Sequence, residues 1–300
     1  MVSLIKDKRE LRRMGKGLLF ISPWLIGYLL FMAYPLLSSL YYSFTSYDVI
    51  SPAHWVGLQN YIKILSSDTV FYQAIRNTLY FTIVSVVFGT IVSFAIALLL
   101  NKIRYFASIF RTVVFLPSVL PAVAGTILFV WVLNPSYGIV NAFLRLLHIP
   151  APAWFSDPHW SIPGLVLMSA WTAGPWVIIY LSALQGLPED VYEAAELDGC
   201  KPWTALFRIT IPLLSPVIFF NVIMSVIGGL QTFTQGFIAG GLDGAPAGSL
   251  LFYGMYIYEQ AFAFFNMGYA SALAWILFIV TAICTAFVSR MLGRYTYYEN

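Results

Sequence analysis

Five acids crowd into ten residues of this 300-residue chain: Glu189, Asp190, Glu193, Glu196 and Asp198. They are five of its thirteen carboxylates, so their spacing is the first place to look for chemistry. Glu189, Glu193 and Glu196 recur at i, i+4 and i+7, which puts them on one helical face, where like charges repel by a few tenths of a kcal/mol per pair. A basic partner would remove that penalty. Val191, Ala194, Ala195 and Asp198 fall on another face, and the alanines leave the backbone open to close approach. The run therefore reads as a docking helix; the plain alternative is a solvated connector between apolar runs.

Other chemistry is poorly served. His54, His148 and His159 fall in connecting loops, with no metal-ligand or nucleophile partner at a useful spacing. Cys200 and Cys284 form no CxxC or Cys/His cluster and are not expected to pair. Gly240-Gly241 is not followed by GK[ST], so it is not a phosphate loop. No active site is expected, and no cofactor or metal is assigned to this chain. Polar residues inside apolar runs are the more informative set: Ser118, Trp171, Thr172, Asn221, Ser225 and Gln231. Hydroxyl, amide and aromatic groups in an otherwise apolar wall suit a solute of sugar type; the competing reading is helix–helix hydrogen bonding.

The elements that must carry these residues follow from composition. The chain is 60% hydrophobic and 10% charged, where soluble domains carry about 25% charged residues. An all-α integral membrane protein is expected. About six runs are long enough for the roughly 20 residues that span the hydrocarbon, near 18–43, 79–100, 112–133, 163–186, 213–235 and 268–289. The first run lacks a small-residue cleavage site and is expected to be a retained helix. Pro117 and Pro121 should break the third span near Ser118, as in helices that flank a binding cavity. The stretch 249–265 is apolar but carries Glu259 and Gln260, so it is expected as an added external or re-entrant helix packed on protein. Residues 138–149 suit a short amphipathic outer helix.

Lys and Arg set the orientation. With a cytosolic N-terminus, thirteen of the sixteen fall on cytosolic segments: Lys6, Lys8, Arg9, Arg12, Arg13 and Lys16 in a basic arm, then Lys102, Arg104, Arg111, Lys201, Arg208, Arg290 and Arg294. The expected organisation is a cytosolic arm over 1–17, a transmembrane domain over 18–290 and a cytosolic tail over 291–300, with both termini inside. The basic arm is a topology anchor and implies no nucleic acid. Within the domain, 187–216 is a cytosolic loop. Pro188 should open a helix of about 11 residues, Gly199 should end it at a left-handed position, and Pro202 and Pro212 should open and close a second.

That loop also carries a motif. Glu193-Ala194-Ala195, three residues, Gly199, nine residues, then Ile209-Thr210-Ile211-Pro212 resembles the EAA loop of ABC importer permeases, E-A-A-x3-G-x9-I-x-L-P, with Ile211 for Leu as the one departure. Further marks are Val56-Gly57-Leu58-Gln59-Asn60-Tyr61, then Phe71, Ala74, Asn77 and Thr78, then Arg111, Phe115, Pro117 and Pro121, and Met267-Gly268-Tyr269-Ala270-Ser271-Ala272. From about Pro23 to Arg290 the chain resembles carbohydrate-uptake permeases like the larger membrane subunit of the maltose transporter. The usual Gly-Gly-Pro turn before the last helices is replaced by Gly240-Gly241-Leu242.

The resemblance implies a permease subunit of an ATP-driven, binding-protein-dependent sugar or oligosaccharide importer, multi-pass in a bacterial-type inner membrane and working by alternating access. It implies a second permease as heterodimer partner, two ATPase subunits that hold ATP and Mg, an extracytoplasmic solute-binding protein, a small-molecule sugar and surrounding membrane lipid. Glu193, Ala194, Ala195, Gly199 and Pro212 would belong to the cytosolic coupling helix and its loop, and Ser118 and Ser225 match positions that contact sugar in the maltose-type subunit. One turn beyond Ser225 that family has a polar residue where this chain has Gly229. A glycerol phosphate ester as solute, or a non-translocating scaffold subunit, is the alternative.

Overall fold

The computed structural model describes residues 8–103 and 105–293. Lys6, Arg104 and Arg294, with the first residues of the arm and most of the tail, lie outside them. The described residues are helical apart from loops and one two-residue antiparallel pair, β1 (Thr45–Ser46) with β2 (His54–Trp55). Three helices are long and apolar enough to cross a membrane: Met14–Ser43, Thr69–Lys102 and Met267–Met291. Three more spans appear when bent helix pairs are each taken as one.

Contacts divide the chain into two units. The first takes the described residues up to Ser66 together with Gln260–Trp275. Its opening helix, α1 (Lys8–Tyr28), runs through a π turn into α2 (Tyr34–Ser43); after the β pair comes α3 (Gln59–Ser66). The end of α2 has backbone acceptors with no helical partner, a standing need at any helix C-terminus. Asn60 meets it, donating through Nδ2 to Ser43 O and Thr45 O, both at 2.9 Å. Gly268 comes so close to the same turn that a Cβ there would lie 2.1 Å from Thr45 O. Two of the sequence marks, Asn60 and Gly268, are thus parts of one corner.

The second unit takes Ser67–Glu259 and the rest of the chain from Ile276. Its axis is α4 (Thr69–Lys102), 34 residues long and so about 50 Å. Asp68 caps its first turn, accepting from Phe71 N, which starts the helix ten residues before the predicted span. Next come the bent pairs: α5 (Ala107–Val119) with α6 (Ala122–Val132) at 104°, and, after the outer α7 (Ile139–Leu146), α8 (Pro158–Trp171) with α9 (Gly174–Gln185) at 47°. The first bend falls at Leu120–Pro121, where the prolines put it. Ala97, Leu100, Val177, Tyr180, Leu181, Leu184 and Leu214 form the apolar core between α4, α9 and the following span.

The loop 187–216 holds α10 (Glu189–Leu197), α11 (Pro202–Ala205), a π turn over Leu206–Thr210 and α12 (Ile211–Leu213). Pro188 is the N-cap rather than the first helical residue, so α10 has nine residues, two fewer than expected. Pro212 does not close the second helix: the π turn lets the helical path restart, with Pro212 in the first turn of α12, where a missing N–H is tolerated. The break comes at Leu214, bending 68° into α13 (Ser215–Leu230). This span ends at Leu230, five residues short of the prediction.

After α14 (Thr234–Gly240), the ambiguous stretch forms α15 (Tyr253–Tyr258), which runs on into a π turn over Glu259–Ala263, still far too short to cross. Leu250, Phe252, Tyr253 and Met255 are buried against protein. Asn77 donates to Gly248 O and Leu251 O, and Thr78 accepts from Tyr253 N, so α4 holds this segment by its backbone. The last helix is α16 (Met267–Leu292).

Candidate functional site

Two places in the second unit assemble the residues singled out above. The first is the α10 region. None of its residues is buried, so packing does little to hold it, and its ends must. At the C-terminal end Gly199 takes φ +73°, with Gly199 N donating to Glu196 O at 3.0 Å and Cys200 N to Ala195 O at 2.9 Å. That pair of bonds is a Schellman turn, which satisfies two carbonyls at the helix end. Tyr192 and Thr210 share a hydrogen bond of 2.9 Å between their hydroxyls, tying α10 to the π turn. Glu189, Glu193 and Glu196 line one cleft of about 580 Å³ with Lys102, Asn101 and Gln185. No ion pair joins Lys102 to these three among the described residues. Leu197 is 89% exposed and Trp203 74%, the latter stacked on Phe207 at 6.3 Å. Acidic and apolar side chains are thus both exposed in this region.

The second is a cavity of about 240 Å³ enclosed by α4, α8, α9 and α13 and reaching α14. From α4 it takes Ser85, Gly89, Thr90 and Ser93, a small and polar stripe at helical spacing. α8 and the bend after it give Ser169 and Thr172, α9 gives Trp176 and Tyr180, and α13 gives Asn221 and Ser225; Thr232 and Gln235 close the end. No Asp, Glu, Lys, Arg or His is in this wall. The 47° bend between α8 and α9 falls at Thr172–Ala173, both of which line the cavity. Asn221 is 2% exposed and Tyr180 fully buried, and Asn221 and Thr90 are the polar neighbours of the Tyr180 hydroxyl.

These two features sit on a recognisable frame. Residues 85–295 match the family model described as "Binding-protein-dependent transport system inner membrane component". The chain belongs to this family. The permease is 32% identical over 298 residues to the probable ABC transporter permease protein YesP of Bacillus subtilis, covering 99% of this chain and 96% of that one. It is 35% identical over 273 residues to the lactose transport system permease protein LacF of Rhizobium radiobacter, covering 89% and 90%. Its fold matches a solved bacterial ABC transporter involved in the import of alginate, with TM-score 0.81, covering 96% of this permease and 99% of that chain at 24% identity. The permease is therefore a multi-pass membrane component of a transport system that depends on a binding protein, and not an enzyme.

Within the permease, Glu193, Ala194, Ala195 and Gly199 lie on or at the end of α10, and Pro212 lies in α12. Of the predicted solute-path residues, the cavity gathers Thr172, Asn221 and Ser225. Ser118 lies elsewhere, its hydroxyl bonded to Phe115 O one turn back on α5. Trp171 packs against Phe129, ring centroids 5.6 Å apart and planes tilted by 31°, outside the cavity wall. Gln231 is the exposed C-cap of α13. Sequence reasoning passed over Trp176, Tyr180 and the α4 stripe. The stripe was legible as Ser85, Gly89 and Ser93 at i, i+4 and i+8; Trp176 was not, because its direction depends on the helix restarting after Ala173.

Proposed function

We propose that this permease forms, with a second and similar permease, the path by which a neutral sugar or oligosaccharide enters the cell. The observation that carries the reading is the cavity: hydroxyls, amides and an indole in its wall, and no charged group. Those groups recognise sugar hydroxyls and faces. A phosphate ester would need a cation that the wall lacks, so the glycerol phosphate alternative is disfavoured, as is a scaffold with no path. Relatives named for lactose, for arabinooligosaccharides and for trehalose/maltose support the solute class.

In this reading an extracytoplasmic binding protein delivers the solute, and two ATPase subunits, holding ATP and Mg, seat α10 in a groove on the cytosolic face. Their closure moves α10, opens the cavity outward and accepts solute; hydrolysis resets it. Glu193 supplies a charge-assisted contact to a basic groove, stronger than a neutral hydrogen bond. Deleting the gene should abolish uptake of at least one neutral sugar, restored by the gene in trans; a strain whose sugar uptake is unchanged overturns the reading. Both termini are cytosolic in this reading, which the distribution of Lys and Arg supports. A reporter fused after Gly293 should therefore be active only as a cytosolic fusion, and an outward-facing reporter refutes the topology.

A further inference from the structure

The outer helix α7 carries an apolar face that the described residues leave open. Ile139, Phe143 and Leu146 recur at i, i+4 and i+7, so they share one side of the helix. Ile139 and Leu146 are each 74% exposed and Phe143 59%, with Leu147 exposed beside them just past the helix end. The opposite side is fixed to the protein. Asn141 is fully buried, donating through Nδ2 to Pro152 O at 2.9 Å and accepting from Trp154 Nε1 at 2.7 Å. Those bonds set the rotation of α7 about its own axis and keep the apolar side turned out. Arg145 is the one charged residue of α7, and its guanidinium is drawn back to the preceding loop, donating to Pro135 O at 3.0 Å and Ser136 O at 3.1 Å. No charge stands on the open face.

The place of α7 in the fold says what covers that face. Gly138 is buried where α7 begins: its N–H donates to Asn134 O at 2.9 Å, and a Cβ there would lie 2.6 Å from Val132 O. Val132 is the last residue of α6, the outer half of a bent span. Leu128 and Trp131 are exposed near that end, and a tryptophan at the end of a span settles at the level of the lipid headgroups. The face of α7 thus begins at the depth where the exposed apolar surface of α6 stops. A docking face for a soluble protein would carry polar groups at its rim, and here the nearest one, Arg145, is bonded to its own loop. A helix with one apolar face at headgroup depth lies in the interface, that face sunk roughly 5–10 Å into the boundary of headgroups and acyl chains.

We infer that α7 is an interfacial lipid-binding helix, which seats Ile139, Phe143 and Leu146 in the outer leaflet and so fixes the outer end of the α5–α6 span to the bilayer. From the proposed function it takes only the outward placement of α7, which the reporter after Gly293 tests separately; it does not depend on which solute is carried.

The test is electron paramagnetic resonance of nitroxide labels on the assembled transporter in nanodiscs of phosphatidylethanolamine and phosphatidylglycerol. Ile139→Cys, Phe143→Cys and Leu146→Cys are labelled one at a time in a chain that carries Cys200→Ser and Cys284→Ser, with cysteine-free partner subunits. His159→Cys, at a side chain 92% exposed where α8 begins, is the aqueous reference. Collisions with oxygen, which concentrates in lipid, are compared with collisions with a water-soluble nickel chelate. At each of the three positions the oxygen-to-nickel ratio should exceed that of the reference by about tenfold, as for a label seated in the interface, and should stay there when solute-loaded binding protein is added. Leu147→Cys alters no residue of the helix and should follow the other three. Ratios equal to that of the reference put the face in water and overturn the inference. Labels shielded from both colliders, with or without the binding protein, show a protein seated on the face and overturn it as well, and either result leaves the sugar reading standing.

Discussion

Gly199→Val should abolish solute uptake and loosen the ATPase subunits from the permease, while membrane insertion stays intact. The cause is the backbone alone. Gly199 has φ +73°, and a Cβ built there meets nothing within 4 Å, so no neighbour resists the larger side chain. What resists it is the left-handed conformation, at about 1–2 kcal/mol for an ordinary L-residue and worse for a β-branched one. That is enough to matter because α10 buries none of its nine residues and depends on its two ends and the Tyr192–Thr210 bond for its placement. If the turn opens, Cys200 N loses Ala195 O and the chain into α11 leaves in another direction. Gly199→Asn is the informative companion, since Asn visits the left-handed region most readily among the other residues; it should retain most uptake. Glu193→Ala should fall between them, and Asp198→Ala, which removes one exposed charge, should do least. Uptake measured with ATPase co-purification decides: if Gly199→Val matches wild type in both, α10 is a connector and the docking role fails.

The same glycine shows why some of this molecule was legible in the sequence. A proline, a run of acids and a glycine eleven positions beyond the proline mark a short helix whatever surrounds it, because caps and turns are local. The spans were legible because a bilayer demands about 20 apolar residues wherever a helix crosses. The bends were only partly so. Pro121 caps α6, while Pro175 and Pro216 each sit in the first turn of the helix that follows a break. A proline near mid-span thus marks a restart as readily as a kink, and each restart resets which side chains face inward. For that reason Trp171, at the end of α8, pairs with Phe129 while Trp176, early in α9, reaches the cavity. Gln231 fell outside for a different cause: at 3.6 residues per turn it lies well off the face that carries Asn221, Ser225, Gly228 and Thr232 inward. The segment 249–258 shows the opposite limit. Glu259 and Gln260 argue against a span there, but that Asn77 and Thr78, more than 170 positions away, hold its backbone was not legible.

Gly174→Ala is expected to be among the damaging single methyls of the second unit. A Cβ at Gly174 would stand 2.6 Å from Val114 O and 2.8 Å from Phe115 Cα. Both are backbone atoms of α5, so no rotamer change can make room; α9 must move away from α5 as a body. Overpacking of this kind costs about 1–3 kcal/mol, and here the upper end is expected because the site has no flexible neighbour. The position compounds the effect. Gly174 opens α9 immediately after the bend from α8, and α9 carries Trp176 and Tyr180 into the cavity wall. A displaced α9 therefore disturbs both the core with Val177 and Leu181 and the solute groups at once. Thermal unfolding of the detergent-solubilised transporter should show a lowered midpoint, and uptake should fall by an order of magnitude or more. Gly27→Ala is the matched control: its Cβ would meet nothing within 4 Å, and alanine favours a helix over glycine by about 1 kcal/mol, so its midpoint should hold or rise. A Gly174→Ala transporter with the wild-type midpoint and uptake would mean that α9 does not approach α5 as closely as described, and the cavity built on that approach would have to be redrawn.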